Sequence, residues 1–127
     1  MAHAEMPPGA PSGGFPPAVQ HTLPGWTLFW ADLEPLPADA ASGAGLTTLR
    51  SATASAARTT HTLDGLAAHP TASAVRKLFR RAGTDPTRYR PSSEALLRRV
   101  LKGEELPAIH PVVDLNNCLS VQLVVPA

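Results

Sequence analysis

Arg88–Val121, RYRPSSEALLRRVLKGEELPAIHPVVDLNNCLSV, is the stretch whose reading decides the fold. Its first half is punctuated as a surface helix. First-turn N–H groups have no intrahelical partner, so the missing N–H of Pro91 costs nothing there. Ser92 or Ser93 can cap, and Glu94 places negative charge near the positive end of the helix dipole. Leu96, Leu97, Val100 and Leu101 share one face at helical spacing. Arg98, Arg99 and Lys102 load the last turns with positive charge. Gly103 tolerates the left-handed conformation that commonly ends a helix.

A second helix opens at His110-Pro111, again with proline at its first position. Val112, Leu115 and Leu119 recur at intervals of three and four residues. Asn116 and Asn117 stand inside this helix, where each is worse than alanine by roughly 0.5–0.7 kcal/mol. Val113, Asn116, Asn117 and Ser120 cluster on a face distinct from the leucines, a pattern expected of one wall of a pocket. Beyond them, Leu119 to Val125 can leave the helix as a strand.

These residues carry a resemblance. Arg88-Tyr89-Arg90-Pro91-Ser92-Ser93, then a helix, then Leu106-Pro107-Ala108-Ile109, then Val113-Asp114-Leu115-Asn116-Asn117, resembles the B3/B4-type editing domain of the phenylalanyl-tRNA synthetase beta chain, in its free-standing form. Arg88 to Val121 matches closely and Thr71 to Val125 loosely. The resemblance implies an α+β fold, a mixed sheet flanked by helices. It implies that 25–127 is the N-terminal part of such a domain, acting with a missing C-terminal half that can be a separate chain. It implies an aminoacyl-tRNA hydrolase acting on the ester at the tRNA 3′ end without metal or cofactor. A binding module for an amino acid or tRNA, and an enzyme passing the aminoacyl group to a small amine, are the alternatives. Asn116 and Asn117, with Val113 and Ser120, would then line the amino-acid pocket. Asn116 replaces a frequent threonine of that family and Cys118 a frequent tyrosine.

The composition bounds these readings. The 127 residues suffice for one domain of ordinary size. Fourteen prolines and few aromatic residues predict a loop-rich chain with few large core side chains. A single cysteine, Cys118, leaves no internal disulfide and fits a reducing, cytoplasmic setting. No apolar run approaches the roughly 18 residues of a membrane span, and the start has no secretory-signal pattern.

Residues 1–24 are rich in proline and glycine and read as a disordered arm. Residues 25–36, GWTLFWADLEPL, read as a strand apolar on both faces, ended by Pro35 and Pro37. Leu46 to Arg58 reads as a weak helix, because threonine and serine dilute its alanines. Thr59 to His69 reads as irregular. Pro70 opens a better helix to Ala82, with Ala72, Val75, Leu78 and Phe79 on its apolar side and Gly83 after it.

Charge is concentrated. Nine of the eleven basic residues lie within 76–102, where only Asp85 and Glu94 oppose them. Arg76, Lys77, Arg80, Arg81, Arg88, Arg90, Arg98 and Arg99 are the candidate RNA contacts, because clustered guanidinium and ammonium groups attract phosphate without regard to sequence. Arg88, Tyr89 and Arg90 before a helix N-terminus can hold a phosphate or carboxylate; the plainer expectation pairs an arginine with Asp85 or Asp114. His110 and Asp114 have the spacing of two ligands on one helix face, but no third ligand stands beside them, so no metal site is expected.

Overall fold

The computed structural model describes residues 43–127. The chain divides into two units, Met1–Leu36 and Pro37–Ala127. The predicted arm and the predicted strand at 25–36 lie outside the described residues. Five helices follow one another: α1 Gly43–Thr60, α2 Leu63–Leu66, α3 Pro70–Arg81, α4 Ser92–Leu101 and α5 Pro111–Leu123.

No strand occurs among the described residues. The expected α+β fold with a mixed sheet is therefore corrected: here the backbone donors and acceptors are paired within helices, and α1, α4 and α5 pack on one another. The predicted exit into a strand after Leu119 is likewise not made. The helix continues to Leu123 and stops when Val124 turns to φ 57° and ψ 29°.

Helix α1 is longer than its composition suggests, and its threonine hydroxyls are satisfied within it. Thr47, Thr48, Thr59 and Thr60 each donate to the carbonyl four residues earlier, at 2.8, 3.1, 3.0 and 2.8 Å. A hydroxyl satisfied this way no longer competes for the backbone of another conformation. Thr53, Ala54 and Ala57 are buried, and their small size lets neighbouring helices approach closely. Helix α2 is one turn, capped by the Thr62 hydroxyl, which accepts from the Gly65 N–H at 3.0 Å.

Helix α4 lies where its punctuation places it, but Pro91 itself is the N-cap and neither Ser92 nor Ser93 caps it through a side chain. It runs from just after Pro91, carries Glu94 in its first turn, and is followed by Gly103 at φ 94°. Arg58 of α1 donates through Nε to the Val100 carbonyl near its end at 3.0 Å and through Nη2 to the Glu104 carbonyl in the following loop at 2.9 Å. The core is made of Ala54, Ala57, Leu66, Ala72, Leu97, Val100, Leu106, Cys118, Val121 and Val124. Among the described residues this core contains no aromatic side chain.

Candidate functional site

Helix α5 is apolar on two sides, and only one of them is used internally. Asp114, Cys118 and Val121 face the core and are buried. On the opposite side Val112, Leu115, Leu119 and Leu123 form a stripe, each between 39 % and 69 % exposed, with Ile109 beside its start. Asn116 lies within this stripe and is exposed. The leucines that periodicity marks out are thus the outward residues. The inward side was legible only through Cys118 and Val121, because the third inward residue is a carboxylate.

Asp114 fastens that orientation. One carboxylate oxygen accepts from the Ile109 N–H at 2.9 Å and the His110 N–H at 3.3 Å. The other accepts from Arg50 of α1 at 3.0 Å. The Ile109 N–H bond, opposed by burial and reinforced by His110 and Arg50, holds its pKa below the ordinary aspartate value. His110 supports the same turn, its Nδ1 accepting from the Val112 N–H at 3.3 Å. Asp114 thus pairs with Arg50 of α1 and not with Arg88 or Arg90 beside Tyr89.

The second concentration of chemistry is a buried carboxylate ringed by guanidinium groups. Arg76 donates through Nη1 to both Glu94 oxygens at 2.8 Å. Arg98 donates through Nε at 3.0 Å, and Arg90 lies 3.7 Å away. Burial would raise the Glu94 pKa, but the hydrogen bonds and charges of Arg76 and Arg98 outweigh it and hold it below the usual value. This ties α3 to α4. Of the other candidate RNA contacts, Arg99 donates to the Glu105 carbonyl at 3.0 Å and pairs with Glu104 at 3.4 Å. The Arg88 guanidinium stands 5.2 Å from the centre of the exposed Tyr89 ring. Lys77, Arg80 and Arg81 are exposed along α3. The sequence showed the charge density; Arg90 and Arg98 lie four residues either side of Glu94, and only Arg76 reaches it from another helix, 18 residues away in the chain.

The four residues expected to wall a pocket are placed as follows. Val113 and Asn116 are exposed, Asn117 is half-buried, and Ser120 is buried with its hydroxyl accepting from the Ala127 N–H at 2.9 Å. A cleft of about 180 Å³ lies instead between α1 and α5, lined by Thr53, Ala56, Ala57, Thr60, His61, Val121 and Gln122. A shallow trough of about 450 Å³ runs along α1 at Thr47, Thr48, Ser51, Ala52 and Ser55. Neither is lined by the four residues. His61 is held below the ordinary histidine pKa by burial and by the adjacent His69.

A model of the family described as B3/4 domain matches residues 74–127, less than half of the chain. No curated protein and no solved structure matches. The matched stretch contains most of α3 and all of α4 and α5, with no strand. Family membership is corrected on that ground: the motif is present, but it sits on packed helices and not on the sheet fold of that family. The editing activity falls with it. Among the described residues there is no sheet to carry such an active site, and no group of three or more His, Cys, Asp or Glu that could hold a metal. Nor, among them, is any helix long and apolar enough to cross a membrane.

Proposed function

We propose that this chain is a helical association module whose working surface is the outer stripe of α5, and that the partner is a second copy of the chain. The observation that carries the reading is the stripe itself: Val112, Leu115, Leu119 and Leu123 in line on the side of α5 turned away from its own core. Apolar patches of this kind, contiguous and rimmed by polar side chains, mark association surfaces.

Charge favours a second copy. The one formally charged side chain of α5 is Asp114, and it is buried against Arg50. The outer face therefore presents no net charge, and two copies meet without like-charge opposition. The spacing fits as well. With two α5 helices antiparallel about a two-fold axis near Asn117, Val112 of one copy lies opposite Leu123 of the other, and Leu115 opposite Leu119. Asn116 then comes close to its counterpart across the axis. A paired amide in an apolar seam fixes register at some cost in stability, which gives a reason for asparagine inside this helix.

The area sets the strength. A stripe of this length offers on the order of 300–600 Å² per copy, the size of the largest patch on a typical monomer. Two of them bury roughly 600–1,200 Å², at the lower limit for a specific interface, so the dimer is reversible. Sedimentation over a concentration series tests this. The wild-type mass is expected to rise from monomer toward dimer, while Leu119→Glu stays monomeric with an unchanged circular dichroism spectrum. A monomer at every concentration, or a dimer indifferent to Leu119→Glu, overturns the proposal. So does a wild-type chain that is captured through α5 by a different polypeptide in preference to itself.

A further inference from the structure

We infer that Arg90 and Arg98, backed by Arg76, form a binding site for a phosphate monoester dianion. The site is independent of the α5 surface. Its centre is one buried oxygen. Glu94 Oε1 has Arg76 Nη1 at 2.8 Å, Arg98 Nε at 3.0 Å and Arg90 Nε at 3.7 Å. Three guanidinium charges thus converge on a single carboxylate, which leaves an excess of two positive charges. Among the described residues no second carboxylate pairs with any of the three. Asp85 instead accepts from the Thr87 N–H at 2.8 Å.

The donors left over belong to the exposed arginines. Arg76 is committed: Nη1 holds both Glu94 oxygens, and Nη2 donates to the Thr87 hydroxyl at 3.2 Å. Arg98 is tied through Nε alone, and the Arg90 side chain makes no hydrogen bond to a described residue. The Nη groups of both therefore remain as donors. These side chains are 42 % exposed for Arg90 and 29 % for Arg98, against 4 % for Glu94. An incoming anion meets guanidinium N–H groups and not the carboxylate. Glu94 also draws the two arginines together from four residues before and four residues after it, so part of their ordering precedes the ligand. Guanidinium forks take phosphate oxygens bidentately. Charge selects among phosphates. A monoester carries about −1.5 to −2 at pH 7, which matches the excess of two. A phosphodiester carries a single charge and matches half of it. Convergence on one point, in place of an extended row, likewise suits one phosphate group better than a nucleic-acid backbone.

Full-length protein is titrated with methyl phosphate and separately with dimethyl phosphate, at constant ionic strength, followed by arginine Nε–Hε correlation spectra. Methyl phosphate is expected to move the Arg90 and Arg98 resonances, and dimethyl phosphate to bind about tenfold more weakly or not at all. The second ionisation of a monoester falls near pH 6, so affinity should drop about tenfold between about pH 7.5 and pH 5. No histidine lies within 76–102 to mimic that profile. Arg90→Gln is expected to weaken binding about tenfold with an unchanged circular dichroism spectrum, because that side chain makes no hydrogen bond to a described residue. Arg98→Lys keeps the charge beside Glu94 but loses the fork, and should also bind more weakly. Glucose 6-phosphate and a phosphoserine peptide distinguish the carrier, and tighter binding of either than of methyl phosphate supports the site. Four results overturn it: no binding of methyl phosphate at about 10 mM, undiminished binding in both variants, dimethyl phosphate binding as tightly as methyl phosphate, or an oligoribonucleotide without a terminal phosphate binding more tightly than every monoester.

Discussion

Helix α4 follows Pro91 and helix α5 begins at Pro111, and both carry aliphatic residues at helical spacing. In α4 those residues are the core: Leu97 and Val100 are fully buried, while its charged side chains meet one another or a neighbouring helix. In α5 the relation is turned over. A carboxylate, a thiol and Val121 go inward, and the aliphatic stripe goes outward. Periodicity reports that a helix has an apolar side. Which neighbour that side meets is decided by tertiary anchors, here Asp114 held by Arg50 and by two backbone N–H groups.

The largest effect should come from testing the two apolar sides against each other. Leu97→Ala removes a completely buried side chain from α4 and is expected to cost about 3 kcal/mol, by transfer and cavity terms together. Leu115→Ala, the same chemical change on the outer stripe of α5, should stay within about 0.5 kcal/mol at concentrations where the chain is monomeric. Urea unfolding of both variants reads the difference directly. Equal losses would mean that the stripe is covered within the monomer and would erase the contrast between the helices.

A smaller effect separates the two buried carboxylates. Glu94→Gln leaves Arg76, Arg90 and Arg98 around a neutral amide. Because these arginines keep partial access to water, the cost is expected to be about 2 kcal/mol, below that of a fully buried pair. The pH dependence gives the sign. The folded-state pKa of Glu94 lies below its unfolded value, so its contribution is fully present above the unfolded glutamate pKa of about 4.3 and is lost as pH falls through the lower folded value. Wild-type stability should therefore drop on acidification below about pH 4, and Glu94→Gln should drop less. The part that survives in the variant belongs to Asp114, whose pKa is also lowered. An identical acid limb in both proteins would show that Glu94 is not the linked group.

What could be read in advance divides along the same line. Pro91, Glu94 and Gly103 act within one or two turns of themselves, and α4 appears almost where they place it. His110-Pro111 and Pro70 start α5 and α3 for the same local reason. The sheet was an inference from family resemblance and not from these residues, and the described helices contain none of it. In α5 the amides suggested a special face, yet the more telling signal was that a helix of this length carries aliphatic residues on both sides. So small a core has room for one of them. The arginines showed the reverse problem. Their density was visible, but the 18-residue separation between Arg76 and Glu94 hid the pairing that orients them.

The ends of the two helices supply the smallest contrast. Both chains turn left-handed there, α4 at Gly103 with φ 94° and α5 at Val124 with φ 57°. Glycine adopts such angles without a side-chain clash, which made the end of α4 readable. Valine does so at a cost, and what compensates here is burial, since Val124 is among the core residues. A Cβ placed on Gly103 meets nothing within 4 Å, so Gly103→Ala changes backbone strain alone. It should cost about 1 kcal/mol, measured by urea unfolding. Val124→Gly relieves the strain but removes a buried isopropyl group, two terms of similar size and opposite sign, so its net change should be smaller than the loss expected of an ordinary core valine. A Gly103→Ala variant as stable as wild type would mean that α4 can end in another way, and the difference between a helix stopped by its own residue and one stopped by packing would lose its energetic basis.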